Sequence, residues 1–298
     1  MQIHTLDLNF LDTPRVIAAY ALTGPGGVAL IESGPGSTLP ALLAGLAAHG
    51  IRPADVRDVL LTHIHLDHAG AAGWWARQGA VIHVHPLGAP HLIDPARLLD
   101  SARRIYGDQM EQLWGEFLPA PAGKVHVVHD GDLVTAAGLE IRAVETPGHA
   151  RHHHAYQIGD LAFTGDAAGV RLPGQTWIAI PAPPPEFELD AWQATLARLA
   201  ALNLARIYPT HFGEVSDPAE HFARFGPLML ESAGLVRDLM AAGGTRETIL
   251  DRYTAWYEAR AEAAGVDGAT REYYSRVNNL PMSVDGMMRY WKKAGAFS

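Results

Sequence analysis

Short apolar runs punctuated by glycine fill the first two thirds of the chain, and longer stretches with helical spacing fill the last third. Residues 16–20 and 28–31 flank the turn Thr23-Gly24-Pro25-Gly26-Gly27, a pattern that predicts a hairpin. Residues 39–49 repeat apolar positions at helical spacing and stop at Gly50, a residue suited to the left-handed position after a helix. Residues 56–62 read as a buried strand, 69–78 as a helix closed by Gly79, and 81–85 as an alternating strand with one exposed face. The following 86–121 is a long connection with one or two amphipathic helices, and connections of that length often wall a site. Strands are predicted again at 124–128, 133–135 and 139–145, then as a hairpin in which Gly159-Asp160 joins 154–158 to 161–164. A helix over about 190–201 and a short strand at 206–208 precede an almost wholly helical remainder beyond Asp217. The expectation is an α/β (α+β) domain over 1–215 with a helical C-terminal extension over 216–298 packed on it.

Composition narrows the chemistry. The 298 residues include 16 His and no Cys, which removes disulfides, thiolate nucleophiles, iron–sulfur ligation and sulfur-held zinc. Any transition metal must be held by imidazole and carboxylate. A formal charge of -9, with no basic cluster, opposes binding to a polyphosphate backbone, so a small-molecule substrate and no nucleic acid are expected. The first residues lack a basic segment followed by an apolar core, and no run approaches roughly 18 apolar residues. A cytoplasmic protein without membrane attachment is therefore the expectation, and a homodimer is compatible with it.

The candidate chemistry sits in Thr62-His63-Ile64-His65-Leu66-Asp67-His68-Ala69-Gly70, directly after a predicted buried strand. In extended backbone, residues two apart project to the same side, so His63 and His65 can grip one cation together. Asp67 and His68, at the turn into a helix, face a second position a few Å away. Burying four such side chains in an apolar core would carry a large desolvation cost. Further donors stand just past three other predicted strands: His149 in Thr146-Pro147-Gly148-His149, Asp166 in Thr164-Gly165-Asp166, and His211 in Pro209-Thr210-His211-Phe212-Gly213.

In these residues, over roughly 1–215, the chain resembles the metallo-β-lactamase superfamily of αββα hydrolases. The family's H-x-H-x-D-H stands as His63, His65, Asp67 and His68, and its later His, bridging Asp and final His fall on His149, Asp166 and His211. Asp130-Gly131-Asp132 is also similar to the family, whereas Glu32-Ser33-Gly34 carries Glu where Asp is commoner. The resemblance implies that His63, His65 and His149 hold one metal, that Asp67, His68 and His211 hold the other, and that Asp166 bridges them. It implies two divalent ions, zinc first with iron or manganese also suited to N/O donors, and a metal-bridging hydroxide as nucleophile. Asp67 would be a ligand that also helps in proton transfer, the one catalytic side chain. The implied reaction is hydrolysis of a small carboxylic ester, thioester or lactone, as in glyoxalase II-like enzymes and lactonases. Two alternatives share the ligands: a persulfide dioxygenase with one iron on His63, His149 and Asp166, and a nuclease or phosphodiesterase.

Other residues carry weaker signals. His83-x-His85 reads mainly as one face of an exposed strand. One of His152 and His153 is a candidate to orient a ligand, with a loop of solvated histidines equally consistent, and His126 and His129 read as surface residues. Trp74, Trp75 and Tyr156 read as core. Tyr106, Met110, Trp114 and Phe117 either wall an apolar acyl pocket or cover the sheet. Met288-Arg289-Tyr290-Trp291-Lys292-Lys293 is the one candidate for a basic binding patch in the helical region, and reads equally as a solvated helix end.

Overall fold

β1 (Gln2–Asp7) pairs antiparallel with β2 (Ala18–Gly24), which turns through Pro25-Gly26 into antiparallel β3 (Gly27–Ile31), so the expected hairpin forms. After α1 (Leu39–Ala48) the chain enters β4 (Val56–Leu60), parallel to β3. The stretch read as one helix over 69–78 is two pieces, α2 (Leu66–Ala69) and α3 (Ala72–Arg77). The break falls where the Ala71 N–H leaves the helical ladder and donates to the Gly34 carbonyl at 2.9 Å. β5 (Val81–Val84) lies parallel to β4, and the long connection contains α4 (Ala89–Ile93), α5 (Ala96–Tyr106) and α6 (Met110–Trp114). β6 (Val125–Val127) runs parallel to β5 and completes a sheet of order β1-β2-β3-β4-β5-β6. Among the parallel strands β3 is an almost continuous apolar run, as expected for a strand covered on both faces, whereas β4 carries Arg57 and Asp58 before its buried end.

β7 (Leu133–Ala136), β8 (Leu139–Glu145), β9 (His154–Ile158) and β10 (Leu161–Phe163) form a second, antiparallel sheet. Core side chains link the two sheets. The rings of Tyr20 and Phe163 lie 5.2 Å apart, and the buried Tyr156 hydroxyl donates to the Leu61 carbonyl at 2.9 Å. Trp75 and Tyr156 are fully buried core residues and Trp74 is partly exposed.

The structure, a computed structural model, describes residues 1–295 and divides into two compact units, residues 1–145 with 152–165, and residues 146–151 with those from 166 onward. The elements above belong to the first. The second contains α7 (Leu189–Ala201), β11 (Arg206–Tyr208), α8 (Pro218–Ala241), α9 (Arg246–Ala263), α10 (Gly268–Val277) and α11 (Leu280–Lys293). Its helices are stapled to the irregular segment before α7. The Tyr274 hydroxyl accepts from the Leu172 N–H at 3.1 Å and donates to the Trp177 carbonyl at 2.8 Å, the Trp177 indole donates to the Tyr257 hydroxyl at 3.1 Å, and the Ser283 hydroxyl donates to the Ile180 carbonyl at 2.9 Å. Among the described residues, no helix is long and apolar enough to cross a membrane.

Candidate metal centre

In the first unit the functional side chains sit at the carboxyl ends of the parallel strands, where open sheets of this kind form their crevice. Glu32 follows β3, Thr62 and His63 follow β4, and His85 follows β5. His63 is wholly buried, and its Nε2 lies 2.9 Å from Nδ1 of the half-buried His65. The expected same-side projection of these two residues is therefore seen. The ring of buried His68 lies 3.9 Å from that of His63, and its Nε2 is 3.5 Å from Asp67 Oδ2. Serine anchors the turn: the Ser33 N–H and hydroxyl both donate to the His68 carbonyl, at 2.8 and 2.9 Å.

In the second unit two candidate histidine ligands converge on one carboxylate. His149 Nε2 lies 3.3 Å from Asp166 Oδ2 and His211 Nε2 lies 3.5 Å from Asp166 Oδ1, all three residues being buried. The Pro181 carbonyl, 2.8 Å from His149 Nδ1, can only accept, so the ring proton sits on Nδ1 and Nε2 offers a lone pair. A lone pair and a carboxylate oxygen 3.3 Å apart repel unless positive charge lies near both. Neutral imidazoles and carboxylates are the donors that suit zinc and related divalent cations, so the residues present fit a metal centre.

The α8 terminus supports this cluster. His221 is buried and hydrogen-bonds through Nε2 to the Ala168 carbonyl at 2.8 Å, just past Asp166. The Arg171 N–H donates to the His211 carbonyl at 2.7 Å, while its guanidinium grips Asp217 at 2.7 and 3.1 Å. Nothing in the local sequence around His221 marks this role.

Several histidines depart from their sequence reading. His83 and His85 are buried, not set on an exposed face. Neighbouring strands enclose His83, with Asp58 Oδ1 2.8 Å from Nε2 and His126 Nδ1 3.0 Å from Nδ1, and His85 Nε2 lies 3.1 Å from Glu145 Oε1. His152, His153 and His154 are also buried, so the solvated-loop alternative fails, whereas His126 and His129 are exposed as expected. The His153 ring lies 4.9 Å from that of His63, consistent with an orienting role. A side chain at Gly165, whose φ is +50°, would put a Cβ 2.5 Å from Thr62 Oγ1 and 2.7 Å from His153 Nε2, which explains the glycine before Asp166.

The residue that the sequence undervalued is Glu32. Its Oε1 accepts from the Thr62 hydroxyl at 2.5 Å and lies 3.0 Å from His68 Nδ1. The aromatic connection forms a cluster in which Trp114 lies between Phe10 and Tyr106, at ring distances of 5.6 and 5.1 Å. Burial, reinforced by the Asp67 carboxylate, raises the Tyr106 phenol well above its ordinary pKa. At the end of α11, Lys293 pairs with Glu188, the Tyr290 hydroxyl donates to Asp190, and the Trp291 indole donates to the Ala233 carbonyl.

The family profile of the metallo-beta-lactamase superfamily matches residues 12–211, a span that contains every candidate ligand. The chain belongs to the metallo-beta-lactamase superfamily. Metallo-beta-lactamase fold-containing protein ST1585 of Sulfurisphaera tokodaii is 26% identical over 219 residues, covering 72% of this chain and 79% of that protein. An atrochrysone carboxyl ACP thioesterase of Aspergillus fumigatus is 31% identical over 186 residues, 61% of this chain but only 46% of the thioesterase. The crystal structure of metallo-beta-lactamase family protein TTHA1429 from Thermus thermophilus matches with a TM-score of 0.74 at 20% identity, over 99% of this chain and 93% of that one. That likeness concerns the fold, and it takes in the C-terminal helices as well. At the level of reaction class, this member of the metallo-beta-lactamase superfamily is a metal-dependent hydrolase.

Proposed function

We propose that the chain holds two divalent cations, zinc by preference, and hydrolyses a carboxylic ester, thioester or lactone of a small molecule. His63, His65 and His149 would hold one cation, Asp67, His68 and His211 the other, and Asp166 would lie between them. One observation carries this reading: Asp166 has a different histidine Nε2 beside each of its two oxygens, at 3.3 and 3.5 Å, the disposition required of a bridging carboxylate. When bound, cations at such a site supply Lewis acidity toward a carbonyl oxygen and make water a stronger acid.

The protein's own groups divide the remaining work. The Pro181 carbonyl and Glu32 hold His149 and His68 by their Nδ1 atoms, which orients both rings. The Asp67 side chain is 23% exposed against 5% for Asp166, so Asp67 is the carboxylate that solvent reaches and the one suited to exchange a proton with water. Phe10, Tyr106 and Trp114 offer an apolar wall for an acyl group. The activity named for the Aspergillus relative, thioester hydrolysis, favours acyl bonds over phosphodiesters, as does the charge of -9. The same charge supports a small molecule, rather than nucleic acid, as partner.

Elemental analysis of the purified protein, paired with a screen of thioesters, lactones, esters, lactams and phosphodiesters, tests the proposal. Two zinc equivalents per chain with acyl-bond turnover are expected, and one iron per chain with oxygen uptake would overturn it. Asp166→Ala is expected to lose most bound metal and at least about 100-fold in rate, since metal and ligand geometry each supply several kcal/mol of transition-state stabilisation. Its far-ultraviolet dichroism should stay close to wild type. Full metal stoichiometry in this variant would refute the bridging role.

A further inference from the structure

Glu32 stands at the carboxyl end of β3, wholly buried, with φ at +66°. A glutamate adopts this left-handed conformation only where its surroundings impose it. What surrounds it is a set of donors. Oε2 accepts from the Thr62 N–H at 3.2 Å, and Oε1 accepts from the Thr62 hydroxyl at 2.5 Å and lies 3.0 Å from His68 Nδ1.

The protons in these contacts are distributed by what each atom can donate. A carboxylate only accepts, so His68 carries its proton on Nδ1 and offers a lone pair at Nε2. The single Thr62 hydroxyl proton is directed to Glu32, so the Thr62 oxygen is an acceptor for its other neighbour, His63 Nδ1, at 3.1 Å. His63 then also carries its proton on Nδ1 and offers Nε2, the atom that meets His65.

We infer that Glu32 is a positioning residue that sets the Nδ1–H tautomer of two histidines at once, His68 directly and His63 through the Thr62 hydroxyl. The inference rests on the proposed dinuclear reading, in which these histidines serve different cations: one buried carboxylate prepares a ligand for each. Thr62 carries the arm to His63 alone, so the two arms are separable by mutation.

The test uses the full chain in two forms. In metal-free protein, long-range proton–nitrogen correlation spectra of the imidazoles report tautomers directly. Wild type is expected to show Nδ1–H at both His63 and His68, Thr62→Val to change His63 only, and Glu32→Met to change both. In zinc titrations against a competing chelator, Thr62→Val should weaken one of two equivalents by about 10- to 100-fold and Glu32→Met should weaken both, the range expected for groups that orient metal ligands. If Glu32→Met fails to fold, Thr62→Val alone decides. Wild-type tautomers and affinities in a folded Thr62→Val protein, or equal changes at His63 and His68, would overturn the inference. Fewer than two zinc equivalents in wild type with both Nδ1–H tautomers present would instead defeat the dinuclear reading and leave the tautomer control standing.

Discussion

The imidazole of His154 is fully buried, and neither of its ring nitrogens has a hydrogen-bond partner among the described residues. Burial, and secondarily the nearby His85, holds its pKa down to about 3. Because the unfolded chain protonates this group near its ordinary value of about 6.5, the contribution is fully present above that pH and lost as pH falls toward 3, by at most about 1.4 kcal/mol per unit. His154→Phe keeps the bulk and removes the titration. Urea unfolding at about pH 7 and about pH 4.5, on either side of that ordinary value, should show a smaller pH-dependent loss in this variant than in wild type; an equal loss would mean that other groups dominate.

Tight seating of the 86–121 connection governs the next scale. A Cβ at Gly73 of α3 would lie 1.8 Å from the Leu118 carbonyl oxygen, and one at Gly36 would lie 2.2 Å from the Glu116 carbonyl oxygen. Backbone thus rests on backbone beside the helix that bears Asp67 and His68, and Ser37 adds a hydrogen bond from its hydroxyl to the Leu113 carbonyl at 2.6 Å. Gly73→Ala is expected to destabilise by about 1–3 kcal/mol through overpacking, read as a lowered urea midpoint. Gly123→Ala, where a Cβ meets nothing within 4 Å, is the matched control and should stay near wild type. The existence and extent of this connection were legible from its amphipathic spacing. Its close seat on α3 was not, because residues 73 and 118 are far apart in the chain and meet only in the tertiary structure.

For the molecule as a whole, bound cations should couple to stability. A ligand that binds only the native state stabilises by about 2.7 kcal/mol at about 100 times its dissociation constant, and each kcal/mol moves the midpoint of a chain this size by about 2–4 °C. Calorimetry with and without a chelator is expected to show a fall of several degrees, restored by added zinc. An unchanged transition would argue against ligands held in the native fold. The helices after Asp217 bear on the candidate ligands of their own unit. Through His221, Tyr274 and Ser283 they fix the segment from Asp166 to Ile180, which includes the proposed bridging carboxylate and ends beside the Pro181 carbonyl that orients His149.

The candidate ligands stand out in one dimension because each lies just past a predicted strand, while their division between two cations is what the family resemblance implies. The hairpin, the individual strands and the helices beyond Asp217 follow from the same local periodicities, whereas the parallel pairing of β3 to β6 does not. The buried His83, His85, His154 and His221, and the reach of Glu32 across to Thr62 and His68, were decided by tertiary structure. His83 meets Asp58 from 25 positions away, Glu32 meets His68 from 36, and His85 meets Glu145 from 60. Burial of a polar side chain depends on partners or walls supplied by other strands, which no local pattern encodes.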